Sequence, residues 1–166
     1  AGLVNDAKGL LLAELEKSAS PYYFMSGLGS LAEKADNFDE ALAWRKRAYE
    51  NSVGVATRFQ WGANYVLAMI RLAPEDHQAI AVQASALLSE FDVPGELFAG
   101  RNFRTLKRLN ENLRSWRQEQ KPETLAFEPE VEKLCADQKE ASLQQQNCRS
   151  LFVEDHLVEE KVAQAS

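Results

Sequence analysis

Between Gly95 and Gln118 the apolar residues Ala99, Phe103, Leu106, Leu109, Leu113 and Trp116 recur at steps of three and four. That period matches the turn of an α-helix, and it gives the segment one buried stripe and one solvated face. Elsewhere in the 166 residues no alternating run rich in Val, Ile and Thr and bounded by turn residues offers a strand. The chain is therefore expected to be all-α. With 45% hydrophobic residues it can bury a core.

The remaining periodic segments divide the chain. Leu3, Ala7, Leu10, Leu11 and Leu15 predict a leading helix within residues 1–20. Pro21 ends the connection, and a second helix is expected from Tyr22 to Ala35. Asn37 with Glu40 three residues later reads as a capping box opening a third helix that runs to about Asn51. A fourth covers roughly Ala56–Leu72, and Pro74 is expected in the first turn of a fifth, where its missing N–H costs nothing. Helical hairpins are thus expected over 21–92, and a long helix plus a C-terminal hairpin over 93–153. An acidic tail occupies 154–166, with a short extra helix there as one outcome. The sixth helix is placed at Gly95–Gln118, a seventh near Pro129–Ala136 and an eighth near Ser142–Phe152.

Charge and composition exclude several functions. Lys and Arg number 19 against 25 Asp and Glu, a net charge of −6 that argues against a general phosphate-backbone binder. Gly95–Lys121 holds Arg101, Arg104, Lys107, Arg108, Arg114, Arg117 and Lys121 against Glu96, Glu111 and Glu119, so this segment is +4 and the remainder −10. Either these cations pair with acidic neighbouring helices, the preferred reading, or they dock an anionic partner. No nucleic-acid recognition motif accompanies them. No apolar run approaches the roughly 20 residues of a membrane span. A leader with a basic start and a small-residue cleavage site is not visible at Ala1, and the abrupt opening suggests a trimmed piece of a longer protein.

Catalytic signals are weak. His77 and His156 are the only histidines and make no zinc-like cluster, and no nucleophile motif supports a Ser–His–acid triad. No catalytic residue, metal or cofactor is expected. Cys135 and Cys148 are the only cysteines. On one unbroken helix, 13 residues would separate them by about 20 Å. A hairpin breaking near Asp137–Ala141 would let them form a structural disulfide; otherwise they are two separate thiols.

Small residues mark where helices approach closely. Gly29, Ala41 and Ala48 are spaced 12 and 7 apart. With Met25 and Leu28 before Gly29, and Asp36-Asn37-Phe38-Asp39-Glu40-Ala41 at the turn, the segment resembles a tetratricopeptide (TPR) repeat. It departs from that pattern at Ala32 and Arg45, and no Pro follows Ala48. A weaker second copy places Ala79 and Ala86 at an offset of 38, with Leu67 where a small residue belongs. The resemblance implies antiparallel helical hairpins in a TPR-like right-handed array with flanking helices.

A second resemblance is carried by Ser20-Pro21-Tyr22-Tyr23, Glu40-Ala41-Leu42-Ala43-Trp44, Ala56-Thr57-Arg58-Phe59-Gln60-Trp61-Gly62 and Leu72-Ala73-Pro74-Glu75-Asp76. Over about residues 10–150 the chain resembles the C-terminal helical part of bacterial thioredoxin-domain, disulfide isomerase-like proteins. The resemblance implies an exported, periplasmic parent with its redox chemistry on an N-terminal thioredoxin fold. This chain has no Cys-x-x-Cys, so no catalytic residue carries over.

The aromatics Tyr22, Tyr23, Phe24, Phe59, Trp61 and Tyr65 gather near the starts of helices two and four. In stacked hairpins those helices line the concave face, so Tyr22, Arg58, Trp61 and Tyr65, with Arg45, are the candidate partner contacts. Core filling is the competing explanation for each aromatic. The expected function is a non-catalytic interaction module for a polypeptide or an attached thioredoxin-like domain. The alternative is a structural or homodimerising helical domain that supports a parent enzyme.

Overall fold

The computed structural model describes residues 2–122 and 127–152, with side chains from Asp6 onward. Every regular element among them is helical. The α-helices are α1 (Gly2–Leu15), α2 (Tyr22–Lys34), α3 (Phe38–Glu50), α4 (Val55–Leu72), α5 (His77–Leu88), α6 (Gly100–Gln120), α7 (Phe127–Ala136) and α8 (Leu143–Arg149). A 3-10 turn at Pro94–Phe98 precedes α6. The chain divides into two compact units, Ala1–Glu90 and Phe91–Ser166. The acidic stretch 154–166 and the side chain of Leu3 lie outside the described residues.

In the first unit each helix packs on the next in sequence, from α1 through α5. Its core holds Leu28, Ala41, Ala48, Phe59, Ala63, Val66, Ile80, Ala84 and Leu87. Gly29 lies where α2 meets α3: a Cβ there would stand 3.2 Å from the Ala41 carbonyl oxygen and from Arg45 Nε. Close approach thus explains the Gly29–Ala41 pairing. The α2–α3 turn differs from a full capping box. The Asn37 side chain accepts from the Glu40 backbone N–H at 3.4 Å, and its Nδ2 donates to Glu40 Oε2 at 2.9 Å. The backbone N–H of Asn37 instead donates to Ala32 O, closing α2.

The leading helix does not bury one clean stripe. Leu11 packs over Gly27, with its methyls within 3.3 Å of where a Cβ would sit, while Leu10 is 69% exposed. The fifth helix begins three residues after Pro74. Ala73, which precedes the proline, lies outside the helical region at φ −146°, and Asp76 N–H donates to Ala73 O. The proline therefore sits in that turn and not in the helix, as the restriction on pre-proline residues favours.

In the second unit the 3-10 turn packs against α6 and α8, and α7 against α8. The long helix starts at Gly100, not Gly95, because the chain reverses there at a φ of +51°. Of the expected stripe Leu106, Leu109, Leu113 and Trp116 are buried, Phe103 is half-buried, and Ala99 precedes the helix. Asn110 is buried among them, donating its Nδ2 to Leu151 O at 3.4 Å, while its Oδ1 has no partner among the described residues. Helix α7 ends at Ala136, Ala141 adopts φ +58°, and Ser142 caps α8 by accepting from Gln145 N–H. That reversal joins Cys135 to Cys148 in a disulfide with Cα atoms 5.7 Å apart, so the hairpin alternative is the one realised.

Candidate functional site

Helix α2 opens with two tyrosines in its first turn, and α4 presents Trp61 to them. The ring centroids of Tyr22 and Trp61 lie 5.5 Å apart, those of Tyr23 and Trp61 5.4 Å at an interplanar angle of 84°, and those of Tyr22 and Tyr23 4.9 Å. Offset and edge-to-face contacts at these distances are favourable beyond the area they bury. Tyr22 and Trp61 are half-buried, whereas Tyr23 is 62% exposed. Tyr22 Oη donates to Ser20 Oγ at 3.2 Å. The cluster is thus half core and half surface.

Tyr65 follows Trp61 by one turn of α4, which places both on one face. It is half-buried, and burial, with Glu50 and Asp76 adding to it, pushes its hydroxyl above the ordinary value. Phe59 is fully buried and belongs to the core.

The two arginines singled out by sequence, Arg58 on α4 and Arg45 on α3, hold partners within the first unit. Arg58 makes a two-pronged contact with Glu90, Nε to Oε2 at 2.7 Å and Nη2 to Oε1 at 2.8 Å. Tyr49 Oη donates to the same Oε1 at 2.5 Å, and the Arg58 guanidinium lies 4.9 Å from the Tyr49 ring centroid. The Arg58 hydrogen bonds hold the Glu90 carboxyl below the usual range against its burial, and Glu90 in turn holds the Arg58 guanidinium above its own. Tyr49 is pushed up by burial first and by Glu90 second.

Arg45 reaches α2 instead. It donates to Ser26 Oγ at 3.0 Å and Ser30 Oγ at 2.9 Å, and stands 3.6 Å from Glu33. Burial lowers its pKa, with Glu33 opposing. Glu33 is also held by Arg71, both oxygens at 2.8 Å.

Position by position, the Arg58–Gly62 string now has a physical account. Arg58 ties α4 to Glu90, Phe59 fills the core, and Trp61 meets the tyrosines. At Gly62 a Cβ would run into Leu87 Cδ2 and stand 3.1 Å from the Tyr49 ring. Gln60 Nε2 is enclosed without an acceptor among the described residues. Sequence reasoning missed Tyr49 and Glu90, which lie 41 residues apart with no shared motif. It named Tyr23 without making it a contact; its place beside Tyr22 at the edge of the α2 stripe was the available signal.

In the second unit, the basic helix is partly neutralised. Arg114 Nε lies 2.8 Å from Glu128 Oε1 and Arg117 Nη1 2.6 Å from Glu128 Oε2. Arg114, Arg117, Gln118, Lys121 and Glu128 line an open depression of about 440 Å³. Among the described residues no group of three His, Cys, Asp or Glu stands at metal-binding distance, and no helix is long and apolar enough to cross a membrane.

The geometry defines a class no finer than a helical protein with a surface aromatic cluster and a disulfide-closed helical hairpin. Comparison with family models, with curated proteins and with solved structures finds no significant match.

Proposed function

We propose that the chain is a non-catalytic polypeptide-interaction module, built as TPR-like helical hairpins and serving as the C-terminal arm of an exported thioredoxin-fold redox protein. The observation that carries this reading is the Tyr22–Tyr23–Trp61 cluster, which leaves Tyr23 exposed on a rigid helical base. Aromatic side chains lose little entropy on contact and are frequent interface anchors. The close Gly29–Ala41 approach supports the hairpin reading, and the Cys135–Cys148 disulfide suits an oxidising compartment. Tyr22, Tyr23, Trp61 and Tyr65 are the contacts. Arg45 and Arg58 serve by fixing the helices beneath them.

A labelled, reduced and unfolded polypeptide, titrated by fluorescence anisotropy, tests the module. Tyr23→Ala should weaken binding about tenfold with helicity unchanged. Equal binding by Tyr23→Ala and Trp61→Ala, both folded, would count against it. The coding sequence upstream of Ala1 tests the parent: a thioredoxin-like domain with Cys-x-x-Cys supports it, and an initiation codon directly before Ala1 removes it.

The second reading, a structural or dimerising domain, is favoured by one observation: α1 exposes Leu10 and Leu12 while Leu11 packs inward. Sedimentation equilibrium decides it. A dimer that Leu10→Lys converts to monomer would establish that α1 is an interface.

A further inference from the structure

Helix α6 keeps its apolar stripe inside and its cations outside: Arg101, Arg104, Lys107, Arg108, Arg117 and Lys121 are all exposed. Pairing accounts for part of this charge. Glu128 takes Arg114 and Arg117, and Lys107 stands 3.9 Å from Glu111 with both side chains more than half exposed. Arg101, Arg104 and Lys121 have no ion pair among the described residues. The first two lie near the start of α6 and the third just past its end, so at 1.5 Å per residue about 30 Å separates Arg101 from Lys121. Lys107, Glu111, Arg114, Gln118 and Lys121 follow one another at steps of four and three, which aligns them along one side of the helix. The contact with Glu128 shows how a carboxylate sits on such a row. One oxygen meets Arg114 Nε at 2.8 Å and the other meets Arg117 Nη1 at 2.6 Å. Lys121 lines the open depression beside that contact.

We infer that the exposed face of α6 binds an extended acidic polypeptide segment whose carboxylates are spaced along the helix. This surface lies in the second unit and does not depend on the aromatic cluster of the first. The occupant follows from the length of the face and from its mixture of charges. No single phosphate or small dicarboxylate reaches both Arg101 and Lys121. Duplex nucleic acid is long enough, but it carries one negative charge per about 1.7 Å. It would bring that charge against Glu111 and Glu119, exposed on the same helix, in a chain whose net charge is −6. A polypeptide suits a mixed face better. Its carboxylates answer the cations with the planar geometry that a guanidinium fork matches, and its backbone N–H groups can donate to Glu111 and Glu119. At about 3.3 Å per residue, an extended segment of about nine or ten residues covers the distance. Recognition of acidic motifs by clustered arginines is a recurring mode of peptide binding.

The test uses the full chain with its disulfide intact and a fluorescently labelled decapeptide of alternating Glu and Ser, read by anisotropy at low ionic strength. A Gln-Ser decapeptide and a short DNA duplex are the comparators. The Glu-Ser peptide should bind at least about tenfold more tightly than the Gln-Ser peptide, and most of that margin should vanish at about 0.5 M salt. Arg101→Gln, Arg104→Gln and Lys121→Gln together should weaken it about tenfold. Lys46→Gln, which removes an exposed lysine of the first unit, should leave it unchanged. All four positions are exposed, so the variants should keep their helicity, which circular dichroism checks. Equal binding of the two peptides overturns the inference, and so does a folded triple variant that binds the Glu-Ser peptide like the parent chain. A duplex that binds more tightly than the Glu-Ser peptide overturns the polypeptide in favour of nucleic acid. If the peptide binds only after Glu154→Gln, Asp155→Asn, Glu159→Gln and Glu160→Gln, the chain's own acidic residues hold the surface and the inference falls.

Discussion

Glu90 is the acceptor on which α3 and α4 converge, taking one hydrogen bond from Tyr49 and two from Arg58. Bonds to a charged, partly buried carboxylate are worth more than neutral ones. Glu90→Gln should therefore cost about 2 kcal/mol of stability in chemical denaturation at neutral pH. The pH dependence has a definite sign. The folded-state carboxyl is held below its ordinary value of 4.5, so its contribution is complete above that value and is lost as pH falls through the lowered one. The acid side of the stability profile should flatten in Glu90→Gln. Arg58→Glu would set two carboxylates together and should unfold the first unit, so it cannot report on binding. Sequence alone marked Arg45 and Arg58 as candidate partner contacts, whereas both hold side chains of their own unit. It could not show these contacts, because Glu90 is 32 residues from Arg58 and Ser26 is 19 from Arg45. Gln60 makes the converse case: its enclosed Nε2 lacks an acceptor among the described residues, so Gln60→Met should raise stability by about 1 kcal/mol.

Elements were more legible than contacts, and their starts less legible than their bodies. The α6 stripe was readable because its leucines and Trp116 face one side over several turns, which a solvated helix would not require. Its start was not, because Glu96, Leu97 and Phe98 fit a helix by type, and the extended Ala99 with the positive φ of Gly100 separates the 3-10 turn from α6. Pro74 misled for a similar reason: a first-turn proline and a pre-helix turn proline look alike until Asp76 N–H is seen to close a turn on Ala73 O before α5 begins. The aromatic cluster was half legible. Spacing put Tyr22 and Trp61 on adjoining helices, but their ring contact depends on how α4 lies against its neighbours, which Gly62 permits. Gly62→Ala gains helix propensity of about 1 kcal/mol but must displace buried Leu87 and the Tyr49 ring. A net loss of about 1–2 kcal/mol is expected from urea unfolding, with a weaker Arg58–Glu90 contact as its companion.

For the molecule as a whole, two compact units and one disulfide set what can be lost separately. The bridge lies within the second unit and closes a short loop, so Cys135→Ser with Cys148→Ser should destabilise that unit by about 2–3 kcal/mol. Calorimetry with and without reductant checks this: the transition of residues 91–166 should move down while that of 1–90 stays. The same bridge has a bearing on how the chain survives digestion. Lys139 lies in the exposed turn between α7 and α8, inside the loop that the bridge spans. A trypsin nick at that lysine leaves two fragments that still travel as one band on a non-reducing gel. They part only when a thiol is added, so a single cut at this turn is silent until the bond is opened.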